Sequence, residues 1–235
     1  MLEYGVDGLI ICPAHGTTPE MLEPLAAARV PHVLLTRYVD GYDASYVGAD
    51  NVLGARLATE HLLGHGCRRI SFLGGPEPSS ARRDRQLGLE EAVRDQGLLP
   101  AKPSMATPAT RQGGYEAAKE LLASNDAPDG IVCYNDIVAF GVLAAARDLG
   151  LVIGGDVRVI GFDDIEESRL RQPSLTSVAV TPPPLGQRAA RLLHKLIESP
   201  ANTPSTDIAE PTLTIRNSCG CPGPAGRDVP PSAAM

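Results

Sequence analysis

The sequence predicts an α/β protein built on parallel β-sheet covered by helices on both faces. Three observations predict it. Short continuous apolar runs, at residues 8–12, 130–133 and 159–162, read as strands buried on both sides. Longer amphipathic stretches separate them, so strands and helices alternate almost throughout. The 235 residues are 43% hydrophobic and 21% charged, enough to form the core that such a layered fold requires.

The elements follow in order. Residues 8–12 give the first strand, and 19–28 a helix with Glu20 in its first turn. Pro31 introduces a second strand at 32–35. Asp50 or Asn51 caps the next helix, NVLGARLATEHLLGHG, in which Leu53, Leu57 and Leu62 recur near helical spacing and Gly64 and Gly66 end it. A strand at 69–73 closes in a Gly-Gly-Pro turn. Helices are predicted at 82–96, stopped by Gly97, and at 112–123. The strand 130–133 leads to a helix at 137–149 that stops at Gly150. After the strand 157–161 come a helix at 184–198, with Pro184 near its first turn, and a last strand at 212–216. From residue 219 the chain is rich in Pro, Gly and Ala, and a disordered tail over 219–235 is expected.

Composition narrows the function. The net charge of -7 repels phosphate backbones, and 4% aromatics with no Trp leave little for base stacking. Any DNA contact must therefore come from residues outside this chain. Five cysteines, an odd number without a Cys-x-x-Cys, fit a reducing compartment. The first residues carry neither a basic signal-peptide start nor an apolar run of membrane-spanning length, so a cytoplasmic protein without a membrane partner is expected. The five histidines, His15, His32, His61, His65 and His194, are read as scattered. Cys219 and Cys221 stand too close for a usual metal pair. No metal and no cofactor are expected. Nucleophile-elbow, phosphate-loop and dinucleotide-binding motifs are missing from the sequence, which argues against an enzyme.

In parallel α/β sheets, ligands bind at the carboxyl ends of strands. The run RVIGFDD ends a strand in two carboxylates. Asp163, the first of them, can accept hydroxyls or an amine there. The competing reading is that Asp163 or Asp164 caps the turn IEESRL, which suits Asp164 better. At the end of GIVCY, the helix cap is assigned to Asp136 and a ligand contact to Asn135. The charged run 82–85 reads mainly as a solvated helix face. Arg85, one turn before Gly88 and in phase with Leu89 and Ala92, is its one candidate for an inward fork onto a ligand. Cys12 and Thr36 end the first two strands and fall on the same rim.

Several stretches together resemble one family: GVDGLIICP, the segment DNVLGARLATEHLLGHGCRRISFLGGPEPSSARRDRQLGLEEA, then GIVCYNDIVAFGVLAAARDLGL and GGDVRVIGFDDIEESRLRQPSLTSV. From residue 5 to about 219 the chain looks like the effector-binding domain of the LacI/GalR (lac repressor) family of transcription regulators. The resemblance implies a periplasmic-binding-protein type I-like fold: two Rossmann-like parallel-sheet subdomains, joined by three crossovers, with a ligand cleft between them. It implies a first subdomain of 1–49 plus about 178–205 and a second of 50–177 plus about 206–218. Family effector contacts map onto Arg85, Asn135 and Asp163. Thr36 stands where many members carry an Asp, and Ala109-Thr110 where an aromatic often stacks on the effector, so the ligand is left as sugar-like or nucleobase-like. A homodimer and operator DNA, read by an N-terminal helix-turn-helix and hinge helix, are the implied partners. Neither of those DNA-reading parts is in the sequence. Two strand-helix units that precede DGLI in the family are missing as well, so a truncated first subdomain with an exposed sheet edge is expected. The alternative is a solute-binding protein of a transporter, which shares the fold.

Overall fold

The computed structural model describes residues 5–99, 105–180, 183–199 and 203–222. The chain forms two sheets rather than one. The first contains β1 (Leu9–Ile11), β2 (His32–Leu35), β3 (Ser45–Ala49) and β8 (Thr206–Ala209), all parallel, in the order β1-β2-β3-β8. The second contains β4 (Ile70–Leu73), β5 (Gly130–Cys133), β6 (Arg158–Phe162), β7 (Thr176–Val180) and β9 (Pro211–Thr214), in the order β4-β5-β6-β7-β9. Only β9 runs antiparallel, against β7.

Helices cover both sheets, as the continuous apolar strands require. α1 (Pro19–Ala27) packs Leu22 toward Leu34 and Tyr46 on one side of the first sheet. α7 (Leu185–Glu198) lies on the other side, with Ala189 against Val33 and Val47. On the second sheet, neighbouring residues of a strand enter opposite cores. Phe72, Val132 and Ile160 meet α2 (Asn51–Gly64) and α3 (Ser80–Asp95). Leu73, Ile131 and Val159 meet α4 (Arg111–Leu122) and α5 (Asp136–Asp148). The short α6 (Glu167–Leu170) follows β6. Among the described residues no helix is long and apolar enough to cross a membrane.

The chain passes between the sheets over very short links. Asp50 alone separates β3 from α2, and Glu210 alone separates β8 from β9. The two links are adjacent, since the Asp50 amide donates to the Ala209 carbonyl at 3.0 Å.

Three features differ from the sequence reading. β8 joins the first sheet, where residues 206–218 had been placed in the second subdomain, and β7 stays in the second sheet through Val180. β8 carries Thr206 and Asp207 and is half exposed, so it lacks the buried apolar pattern that marks the other strands. Second, the expected tail begins too early. A 3-10 turn, Asn217–Cys219, buries Ser218 and Cys219 against the second sheet, and the rest of the expected tail, 223–235, lies outside the described residues. Third, the histidines are not all scattered. His61 in the last turn of α2 and His65, its C-cap residue, have ring centroids 4.7 Å apart, beside Cys219 and Cys221.

Candidate functional site

The carboxyl ends of the two sheets face one another across a cavity of about 230 Å³. His15, Thr36 and Arg37 line it from the first sheet, and Arg85, Asn135 and Asp163 from the second. Four of the five residues singled out from sequence therefore meet in one place.

Arg85 is placed by close helix packing. Gly88, one turn later, lies so near α2 that a Cβ there would stand 2.1 Å from the Val52 carbonyl oxygen. That approach seats the start of α3 against the strand ends. The Arg85 guanidinium is buried between two rings, 3.5 Å from the Phe162 centroid and 5.0 Å from that of Tyr134. Its Nε donates to Asn51 Oδ1 at 2.8 Å, one terminal nitrogen donates to the Tyr134 carbonyl, and the other lies 3.7 Å from Asp163 Oδ1. Burial lowers its pKa, opposed by the Asp163 carboxylate.

Asp163 leaves β6 with φ of 101°, a backbone region that side chains rarely adopt. Its side chain is 46% exposed along the cavity wall. Burial in the cleft raises its pKa, and Arg85 pulls the other way. Thr36, across the cavity, also has a positive φ, 64°, unusual for a β-branched residue. Strained backbone thus stands on both walls.

Cys12 does not line the cavity. Its Sγ lies 3.1 Å from Thr36 Oγ1, and the Arg37 guanidinium donates to it at 3.3 Å, so it supports two residues that do.

The cap assignment is reversed. Asn135 has extended backbone, φ -153° and ψ 177°, and its Oδ1 accepts the Val138 amide at 3.0 Å. Asp136 is already helical, and only the residue before the helix can turn its side chain back onto the first free amides. Asn135 therefore offers the cavity its Nδ2 donor, its oxygen being engaged by the cap. Asp136 is fully buried and accepts from Ser177 Oγ (2.6 Å), Ser168 Oγ (2.7 Å) and the Ile165 amide (2.9 Å). Burial pushes its pKa up to about 6 although these donors favour the charged form. This carboxylate fixes the loop that carries Asp163, a role the sequence reading missed. The signal was a carboxylate opening an otherwise apolar helix, IVAFGVLAAA. Asp164 is not a cap either. It pairs with Arg216 at 2.7 Å and accepts from Thr214 at 3.1 Å, tying the end of β6 to β9.

A second cavity, of about 550 Å³, adjoins the first through Arg37. Bonds between the two lobes border it. Ser80 Oγ accepts the Tyr38 amide at 3.1 Å and donates to the Tyr38 carbonyl at 3.0 Å, while Tyr38 Oη donates to Asp84 at 3.1 Å. Arg83 pairs with Asp40.

Two lobes built on largely parallel sheets, cross-linked by the chain, face each other across a polar cavity. The family description "Periplasmic binding protein-like domain" matches residues 59–219. The regulator MalR of Streptomyces coelicolor is 32% identical over 237 residues, spanning 97% of this chain and 68% of that protein. GalR of Escherichia coli is 32% identical over 192 residues, or 81% of this chain and 56% of the regulator. A solved complex of the transcriptional regulator CelR with cellobiose superposes with a TM-score of 0.83 at 30% identity, over 91% of this chain and 66% of that one. The chain belongs to the LacI/GalR family and has its effector-binding fold. It spans between about half and two thirds of the length of these relatives.

Proposed function

We propose that this chain is the sensing part of a cytoplasmic LacI-type transcriptional regulator, a repressor that binds a sugar-like ligand between its lobes. One observation carries the reading: Arg85, Asn135 and Asp163 come from three separate elements and converge on one small cavity opposite Thr36. The chemistry suits a polyol. Asp163 accepts hydroxyl protons, Asn135 Nδ2 donates, and Thr36 and Arg37 offer further polar contacts from the opposite wall. Cys12 acts behind Thr36. Ala109 offers no ring for stacking, and the polar contacts come from these hydrogen-bonding groups. Ligand-driven closure of the lobes then reorients a helix-turn-helix in the full-length homodimer and changes its affinity for operator DNA, with a coupling of about 1–3 kcal/mol. The relatives compared are named as regulators, which favours this reading over the transporter alternative.

The test is calorimetric titration of the chain with a panel of mono- and disaccharides and nucleobases. One sugar should bind and be recovered unchanged. Asp163→Ala should abolish binding while the circular dichroism spectrum and unfolding midpoint stay near those of the parent. Unaltered affinity in that variant defeats the assignment.

A further inference from the structure

At the far end of α2 from the cleft, four side chains from distant parts of the sequence gather. His61, in the last turn of the helix, and His65, its C-cap residue, stand four residues apart with their rings together. Cys219 and Cys221 come from the turn after β9, roughly 160 residues later. The Cys221 Sγ lies 3.1 Å from His65 Nε2 and 3.7 Å from His61 Nε2, and all four potential ligand atoms fall within 4.8 Å of one another.

We propose that His61, His65, Cys219 and Cys221 form a closed structural zinc site that fastens the C-terminal turn to α2. Zinc–sulfur bonds of about 2.3 Å and zinc–nitrogen bonds of about 2.0–2.1 Å give a tetrahedron with edges of roughly 3.3–3.8 Å. The two sulfur–nitrogen separations, 3.1 and 3.7 Å, lie close to such an edge, so small side-chain adjustments admit the ion. Two thiolates and two neutral imidazoles balance the charge of a divalent cation. Four protein ligands leave no position for water or substrate, which makes the site structural rather than catalytic.

The backbone between the cysteines is shaped for this arrangement. Gly220 has φ of 90°, and a Cβ there would lie 2.6 Å from the Gly154 carbonyl oxygen. Only glycine fits both conditions, and the resulting turn brings two cysteines separated by one residue to the same point. That is how a spacing too short for an ordinary metal pair still supplies two ligands. Cys219 is fully buried, whereas Cys221 and both histidines are half-buried, so an ion can enter from the solvent side. The site lies on the outer end of the second lobe, away from the residues that line the cleft.

The experiment uses the full 235-residue chain, reduced and stripped with a chelator. Titration with cobalt(II) should give visible d–d bands of tetrahedral intensity and a near-ultraviolet thiolate-to-cobalt band, saturating at one ion per chain and bleached by zinc. Zinc should raise the unfolding midpoint of the stripped protein. Cys221→Ser and His65→Ala, both at half-buried positions, should each weaken zinc binding by about 100-fold or more in competition with a chromophoric chelator. The cobalt spectrum of the parent chain needs no variant to fold. A spectrum with no thiolate band, or zinc affinity unchanged in both variants, overturns the proposal.

Discussion

Asp163 and Asp136 are carboxylates beside strand ends of the same lobe, yet their surroundings assign them different work. Asp163 stands at the cavity wall with Arg85 as its nearest cation, while Asp136 is enclosed and holds the loop between β6 and α6. Asp136→Ala would strip the partners from a buried amide and two hydroxyls. A loss of about 3 kcal/mol in urea unfolding is expected, together with weaker effector binding as the Asp163 loop loosens. The raised pKa of Asp136 also has a sign. The folded chain holds that proton more tightly than the unfolded chain, whose carboxyl titrates near the ordinary value of 3.8. The associated stability is fully present below about pH 4 and is lost as pH rises through about 6. Urea midpoints of the parent, compared with those of Asp136→Asn across pH 4–7, should show this decline in the parent only. The convergence of Asn135 and Asp163 on one cavity was legible because each follows an apolar strand, and that of Arg85 because it is in phase with the buried Leu89 and Ala92 of its helix. Asp136 was not, because the partners that define it lie 29 to 41 residues away.

At the level of elements, α3 shows how packing positions chemistry. Its contact with α2 depends on the missing side chain at Gly88, and Arg85 rides on the preceding turn. Gly88→Ala should push the helices apart, lower the melting temperature by several degrees and weaken effector binding. Gly64→Ala, where an added Cβ meets nothing within 4 Å, should leave binding unchanged and slightly favour the helix. Thermal shift and calorimetry on both variants check the contrast. The long helices and the apolar strands β1, β2, β4, β5 and β6 were readable from apolar runs and glycine stops. β3, β7 and β8 were not. β3 reads SYVGA and β7 reads TSVAV, with buried hydroxyls that interrupt the apolar signal, and β8 is short, polar and half exposed. Their identity as strands comes from partners rather than from local preference.

For the whole molecule, the relation between the lobes matters most. The bonds of Ser80 and Tyr38 span the two lobes at the rim of the larger cavity and favour their approach. Ser80→Ala removes both Ser80 bonds and should lower effector affinity about five-fold, equivalent to ~1 kcal/mol, with little change in the secondary structure seen by circular dichroism. The exposed Arg83–Asp40 pair contributes less, so Arg83→Ala should change affinity by two-fold or less. The passages through Asp50 and Glu210 set what kind of motion remains. Two adjacent one-residue tethers resist stretching and sliding but permit bending, so they act as a flexure. The lobes can swing about a line near that pair, and displacement grows in proportion to distance from it. β1, at the opposite end of its sheet from β8, is the tip of that lever arm. A turn of a few degrees, barely felt at the pivot, arrives there as the largest travel in the lobe.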